Sequence, residues 1–128
     1  MRIVRTEIGW KVLAPRWPKG LCLRSLATRS GYRVGEICDR LGCSESYFRR
    51  VFLRDVGVGP KQWLRDQRML AAKQRLQSGI DSWQLAVELG FASQANFLRE
   101  FRVIFGMVPD RWRKLVSGAG SRGDGAYM

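Results

Sequence analysis

The chain has 128 residues, enough for one ordinary domain or for two small helical lobes that share a connecting element, and too few to add a separate sensor domain. Lys and Arg number 23 against 11 Asp and Glu, a net charge of +12, so the expected partner is a polyanion: nucleic acid first, an acidic membrane surface second. Arginine supplies most of that charge, and its planar fork suits phosphate and guanine better than a point charge does, which favours nucleic acid.

Cys22, Cys38 and Cys43 are accompanied by no histidine and form no C-x-x-C pair, so no zinc pattern is present and neither metal nor cofactor is expected. Arginines interrupt every hydrophobic stretch well before the roughly 18 to 20 apolar residues of a membrane span. The N-terminus, with Arg2 and Arg5, lacks the apolar core of a secretory signal. These features predict a cytoplasmic, nucleoid-associated protein without a membrane partner.

In chain order, residues 1–18 give little pattern and carry Pro15 and Pro18, so they are expected to form an N-terminal arm. Leu21 to Arg29 can form a first helix. Val34, Ile37, Cys38 and Leu41 recur at spacings of three and four, which predicts a short amphipathic helix ended by Gly42. Ser44 then caps a helix over about 44–55 with Phe48, Val51 and Phe52 on one face, and Gly57 closes it. Pro60 opens a long helix that spans roughly 27 Å at about 1.5 Å per residue. Its apolar residues fall on two sides, Trp63 and Leu70 on one and Met69, Ala72 and Leu76 on the other, as in a helix that packs against a lobe at each end. Leu85, Ala86 and Leu89 predict a further helix before Gly90. Ser93 caps another over about 93–104, Gly106 ends it, and Pro109 opens the last. No segment alternates as a strand would. The Gly-rich run beginning at Ser117 predicts a flexible tail over 117–128.

The second half repeats the first. Ser44, Phe48, Arg50, Phe52, Gly57, Pro60 and Trp63 recur at one constant offset as Ser93, Phe97, Arg99, Phe101, Gly106, Pro109 and Trp112. A glycine turn followed by a serine-capped helix, met twice with the same internal spacing, is the pattern of helix-turn-helix units. The expected fold class is all-α: two helix-turn-helix lobes of three helices each, homeodomain-like, over 19–59 and 80–116, joined by a connecting helix over 60–78.

With Phe48 and Phe52 inward, the 100° step per residue turns Ser46, Arg49, Arg50 and Leu53 outward. Recognition helices enter the major groove with their leading residues, so Ser46, Arg49 and Arg50 are the candidate base readers of the first lobe. The same construction on Phe97 and Phe101 selects Ala95, Leu98 and Arg99, flanked by Gln94 and Asn96, whose amides suit adenine. Arg50 and Arg99 occupy equivalent positions in both copies, which a random surface charge would not. Ser44, Arg54, Lys61, Arg65, Ser93, Arg102, Arg111 and Arg113 are candidate phosphate contacts, which fix register without reading sequence. Trp63 and Trp112 belong to the core, and Cys43, in the turn, carries no support for thiol sensing.

These residues resemble the DNA-binding region of the AraC/XylS family of bacterial regulators. The match is carried by Leu89-Gly90-Phe91, Ser93, Phe97, Phe101, Gly106, Pro109, Trp112 in place of the family's usual tyrosine, and Arg113. In the first copy it rests on Ile37-Cys38, Leu41-Gly42, Ser44, Phe48, Arg50, Phe52, Gly57 and Pro60, with Arg68 and Ala72 in the connector. It covers about residues 20–116. Ser82 departs from it, standing where a branched aliphatic is usual, so Ile80 or Trp83 is left to fill that volume. The resemblance implies two recognition helices inserted into adjacent major-groove segments of one double-stranded DNA site, with transcriptional activation or repression. A connector of roughly 27 Å suits a grip by one monomer, a dimer being left open, and RNA polymerase is a second candidate partner. The alternative is a DNA-architectural or recombination accessory protein. An enzyme is not expected, since no histidine and no phosphate-cradling glycine loop with its lysine is present.

Overall fold

The computed structural model describes residues 1–121, with side chains described for 1–116. Among the described residues, three strands precede seven helices: β1 (Arg2–Thr6), β2 (Gly9–Ala14), β3 (Trp17–Cys22), α1 (Leu23–Arg29), α2 (Val34–Leu41), α3 (Glu45–Val56), α4 (Pro60–Gln77), α5 (Ser82–Glu88), α6 (Gln94–Phe105) and α7 (Pro109–Ser121). The all-α expectation is therefore corrected to a mixed fold, and residues 1–18 are sheet rather than an unpatterned arm. The chain forms two compact units, one over Met1–Arg68 and the other from Met69 onward, so the division falls inside α4.

In the first unit the strands form an antiparallel sheet in the order β1-β2-β3. Ile3 pairs with Val12 and Val12 with Leu21, which lays one apolar row across the inner side of the sheet. Ile3 and Val12 are buried in one cluster with Leu23, Leu26 and Ala27 of α1, Ile37 of α2, Phe48 and Phe52 of α3 and Leu64 of α4. The row explains why the sheet exists, and its shortness explains why the sequence concealed it. Each of β1 and β2 buries one side chain, the Glu7-Ile8 turn lacks the Asn-Gly signature of a hairpin, and Pro18 falls within β3. Pro18 is tolerated because β3 is an edge strand, where a missing N–H need not break a ladder.

The turn between α1 and α2 holds Tyr32 at φ 60°, the left-handed region that a tyrosine rarely adopts. Arg68 of α4 fastens this turn: its Nη2 donates to the Gly31 carbonyl at 3.3 Å and the Tyr32 carbonyl at 3.5 Å, and its guanidinium lies 5.7 Å from the Tyr32 ring centroid. α2 ends at Gly42 in the left-handed conformation, where the Gly42 N–H donates to the Cys38 carbonyl.

In the second unit, Met69, Ala72 and Leu76 of α4 are buried, as are Leu85 and Ala86 of α5, Phe97 and Phe101 of α6 and Trp112 of α7. Leu70 is 48% exposed, and Leu64 rather than Leu70 is the residue that α4 buries beside Trp63. Ser82 does not leave its volume to a neighbour. It is itself buried, its Oγ accepting from Gln94 Nε2 at 3.2 Å, while Trp83 is 60% exposed. α7 continues to Ser121, so the start of the expected flexible tail is helical, and its remainder, 122–128, lies outside the described residues.

Candidate nucleic-acid interface

The two candidate recognition helices are built alike. Ser44 and Ser93 stand in extended backbone just ahead of α3 and α6, and their hydroxyl oxygens accept from the N–H groups of Tyr47 and Asn96, each at 3.1 Å. This satisfies one of the free donors that every helix start leaves behind. Each helix stops at a left-handed glycine, Gly57 at φ 95° and Gly106 at φ 80°. Between those limits Phe48, Val51 and Phe52 face the core of the first unit, and Phe97 and Phe101 that of the second.

The opposite face of α3 carries Ser46, Arg49, Arg50 and Leu53, all exposed. Arg50 lies 5.9 Å from the Tyr47 ring centroid, a cation-π approach made by an exposed side chain. On α6, Ala95, Arg99 and Arg102 are exposed, whereas Asn96 and Leu98 are half-buried. Gln94 is half-buried as well, and its amide already serves Ser82. Val103, 68% exposed beside Arg99 and Arg102, is an apolar group on the same outward face that sequence reasoning left out. Ser44, Ser93, Lys61, Arg65 and Arg111 are exposed.

Two of the arginines expected at phosphates are engaged within their own units. Arg54 Nε and Nη2 donate to the Asp55 carboxylate at 2.8 and 3.0 Å, and Nη2 also reaches the Met1 carbonyl at 3.3 Å. Arg113 is half-buried; its Nη2 donates to the Ile80 carbonyl, and its Nε is buried without a hydrogen-bond partner. Asp55 is the acidic residue that organises the first of these. Besides Arg54 it accepts the Ile3 N–H at 2.8 Å, tying β1 to α3, and the Arg54 guanidinium, helped by that N–H, pulls its carboxyl down to about 2. The sequence signal was a carboxylate at the end of a basic helix, but its acceptor role depends on the unforeseen strand.

The exposed faces therefore offer guanidinium forks, hydroxyls and apolar groups, a set suited to binding a duplex through base edges and phosphates. Among the described residues, no group of three His, Cys, Asp or Glu side chains is placed to hold a metal ion, and no helix is long and apolar enough to cross a membrane.

A profile of the helix-turn-helix domain family matches residues 37–115. Over 84 residues the chain is 30% identical to a virulence regulon transcriptional activator, VirF, of Yersinia enterocolitica; the match takes in 65% of this chain and 31% of that protein. The chain thus spans about a third of the length of the curated relatives it matches. Among solved structures, the DNA-binding domain of AdpA in complex with a target DNA superposes with a TM-score of 0.62 at 28% identity, covering 80% of this chain and 93% of that one. A regulator from Chromobacterium violaceum described as containing an AraC-type DNA-binding domain gives 0.59 at 24% identity, over 70% and 84% of the two chains, a likeness of fold.

Proposed function

This chain belongs to the AraC-type helix-turn-helix family of DNA-binding transcriptional regulators, and on that footing we propose that it binds one duplex site through α3 and α6 and regulates transcription nearby. The observation that carries the reading is the exposure of Arg50 and Arg99 at equivalent positions of two serine-capped helices. A guanidinium in that position can take the O6 and N7 of one guanine together. The solved AdpA domain, which is similar to this chain, is described in complex with a target DNA, and that supports a duplex as the ligand here.

In detail, Ser46, Arg49 and Arg50 read bases from α3, and Ala95, Asn96, Leu98 and Arg99 read them from α6, Ala95 and Leu98 through apolar contact with thymine methyls. Gln94 reads only after exchanging its bond to Ser82 for one to a base. Ser44, Ser93, Lys61, Arg65, Arg102 and Arg111 hold phosphates, while Arg54 and Arg113 act indirectly, by fixing the ends of the helices they serve. The helices occupy adjacent major-groove segments and the chain binds as a monomer, in the cytoplasm on the nucleoid, with RNA polymerase as the second partner. Residues 19–116 form the binding domain in this reading.

Selection of bound sites from a random duplex pool at stated salt, followed by footprinting, tests it. A defined consensus with two protected segments about one helical turn apart is the expected result. Sequence-indifferent binding would return the protein to an architectural role, and no binding to duplex would end the reading.

A further inference from the structure

Every residue given a role on DNA above lies at or beyond Ser44, yet the N-terminal sheet is itself strongly basic. Arg2, Arg5, Lys11, Arg16 and Lys19 stand there against one acidic residue, Glu7. The strands lie outside residues 37–115, where the family profile matches.

The sheet is fastened to α3 rather than trailing from it. Asp55 Oδ2 accepts from the Ile3 N–H at 2.8 Å, and Arg54 reaches the Met1 carbonyl. This fixes where the exposed arginines stand. Arg2 pairs in register with Leu13 and directly precedes Ile3, whose N–H is held by Asp55, so it sits beside the last turn of α3. The β2–β3 turn, closed by the pairing of Ala14 with Trp17, puts Arg16 at the other end of the helix. The Arg16 guanidinium lies 4.9 Å from the Trp17 ring centroid, and its Nη1 is 3.7 Å from where a Cβ on Gly42 would stand, in the turn that leads into α3. Two exposed guanidinium groups thus flank the two ends of a helix whose outward face already carries Arg49 and Arg50.

We infer that the β2–β3 hairpin and the start of β1 form a basic wing that grips the DNA backbone beside the groove occupied by α3, with Arg16 and Arg2 each engaging a phosphate. The inference rests on the DNA reading above. Charge complementarity and continuity with the α3 face favour a duplex backbone over an acidic protein. The contribution is sequence-independent, because a phosphate is the same at every base pair. The stacking of Arg16 on Trp17 lowers the entropy lost when a phosphate is bound, since that side chain is already held.

The test uses the full chain and the duplex recovered by selection, in two lengths: one ending at the bases facing α3, the other longer by roughly half a helical turn on the side of the sheet. Replacing Arg2→Ala and Arg16→Ala together is expected to weaken binding to the longer duplex about 10-fold at roughly 0.15 M salt, and to make the slope of log K against log salt shallower by about 1.8. The advantage of the longer duplex disappears, and the set of selected sequences stays the same. Arg2→Lys with Arg16→Lys restores most of the affinity. Unchanged affinity and salt slope in the double alanine variant, with the parent chain binding selectively, overturn the wing alone. An acidic peptide that binds the parent as tightly as duplex does, and is lost in the double variant without loss of DNA binding, assigns the surface to protein and also overturns it. A parent chain that binds no duplex removes the underlying reading and the wing together.

Discussion

The ring of Phe52 meets the indole of Trp63 edge-on, with centroids 5.7 Å apart and planes at 63°. Phe101 and Trp112 repeat the relationship at 6.0 Å and 74°. In each unit the tryptophan that follows the helix-opening proline props the inner face of the candidate recognition helix, so the two helices are held by the same aromatic contact. The supports differ in depth: Trp112 is buried and Trp63 is half-buried.

That difference sets the first prediction. Trp112→Ala is expected to destabilise the second unit by about 3–5 kcal/mol, as for deletion of a buried large aromatic. Trp63→Ala should cost less, because part of its ring is already in water. Urea unfolding of both variants checks the order, and an equal loss would contradict the burial argument.

The paired caps give the second. Ser44→Ala and Ser93→Ala each remove the acceptor of one N–H at a helix start, for about 1 kcal/mol apiece. Thermal unfolding reads the loss, and hydrogen exchange at Tyr47 and Asn96 should quicken in the matching variant only.

Arg50→Ala should cost about 1–3 kcal/mol in binding and relax preference at one base pair, as expected of a bidentate reader. An even loss across all sequences would reassign Arg50 to a phosphate.

Asp55 predicts a pH dependence. Its carboxyl is held at about 2 in the folded chain, below the roughly 3.9 of an unfolded aspartate, so the stabilisation is fully present above about pH 4 and disappears as pH falls through about 2. Asp55→Asn should therefore be less stable than the parent at neutral pH, with the gap closing in acid. A gap that persists unchanged at about pH 2 would show that the charge of Asp55 is not its source.

The cysteines should react in a fixed order. Cys22 is exposed and its thiol is lowered by hydrogen bonds from Ser25; burial raises Cys43; burial pushes Cys38, 2% exposed, up to about 12. Alkylation near about pH 7.5 is expected at Cys22 first, at Cys43 slowly and at Cys38 only on unfolding, as mass mapping would show.

The helices were legible because apolar residues recur at helical spacing, and α3, α4 and α6 are further announced by a serine or proline ahead and a glycine behind. The sheet was not, since its inner row needs Ile3, Val12 and Leu21 from three different strands and no one strand shows more than a fragment of it. Outward faces followed from helical geometry alone, which is why Arg49, Arg50 and Arg99 are exposed where expected. Arg113 and Gln94 could not be placed that way. Their partners, Ile80 and Ser82, are brought to them by tertiary folding, and a side chain's competing attachments are invisible in a one-dimensional pattern.

The capture of the Ile3 N–H by Asp55 has a bearing on how the molecule behaves at high concentration. A strand margin with unclaimed amides invites another polypeptide to zip onto it and seed aggregates. Here one amide of the β1 margin, that of Ile3, is claimed by a carboxylate from a helix, and the β3 margin carries Pro18, which has no amide hydrogen to offer, next to the charge of Lys19. Both borders of this small sheet discourage fibril growth.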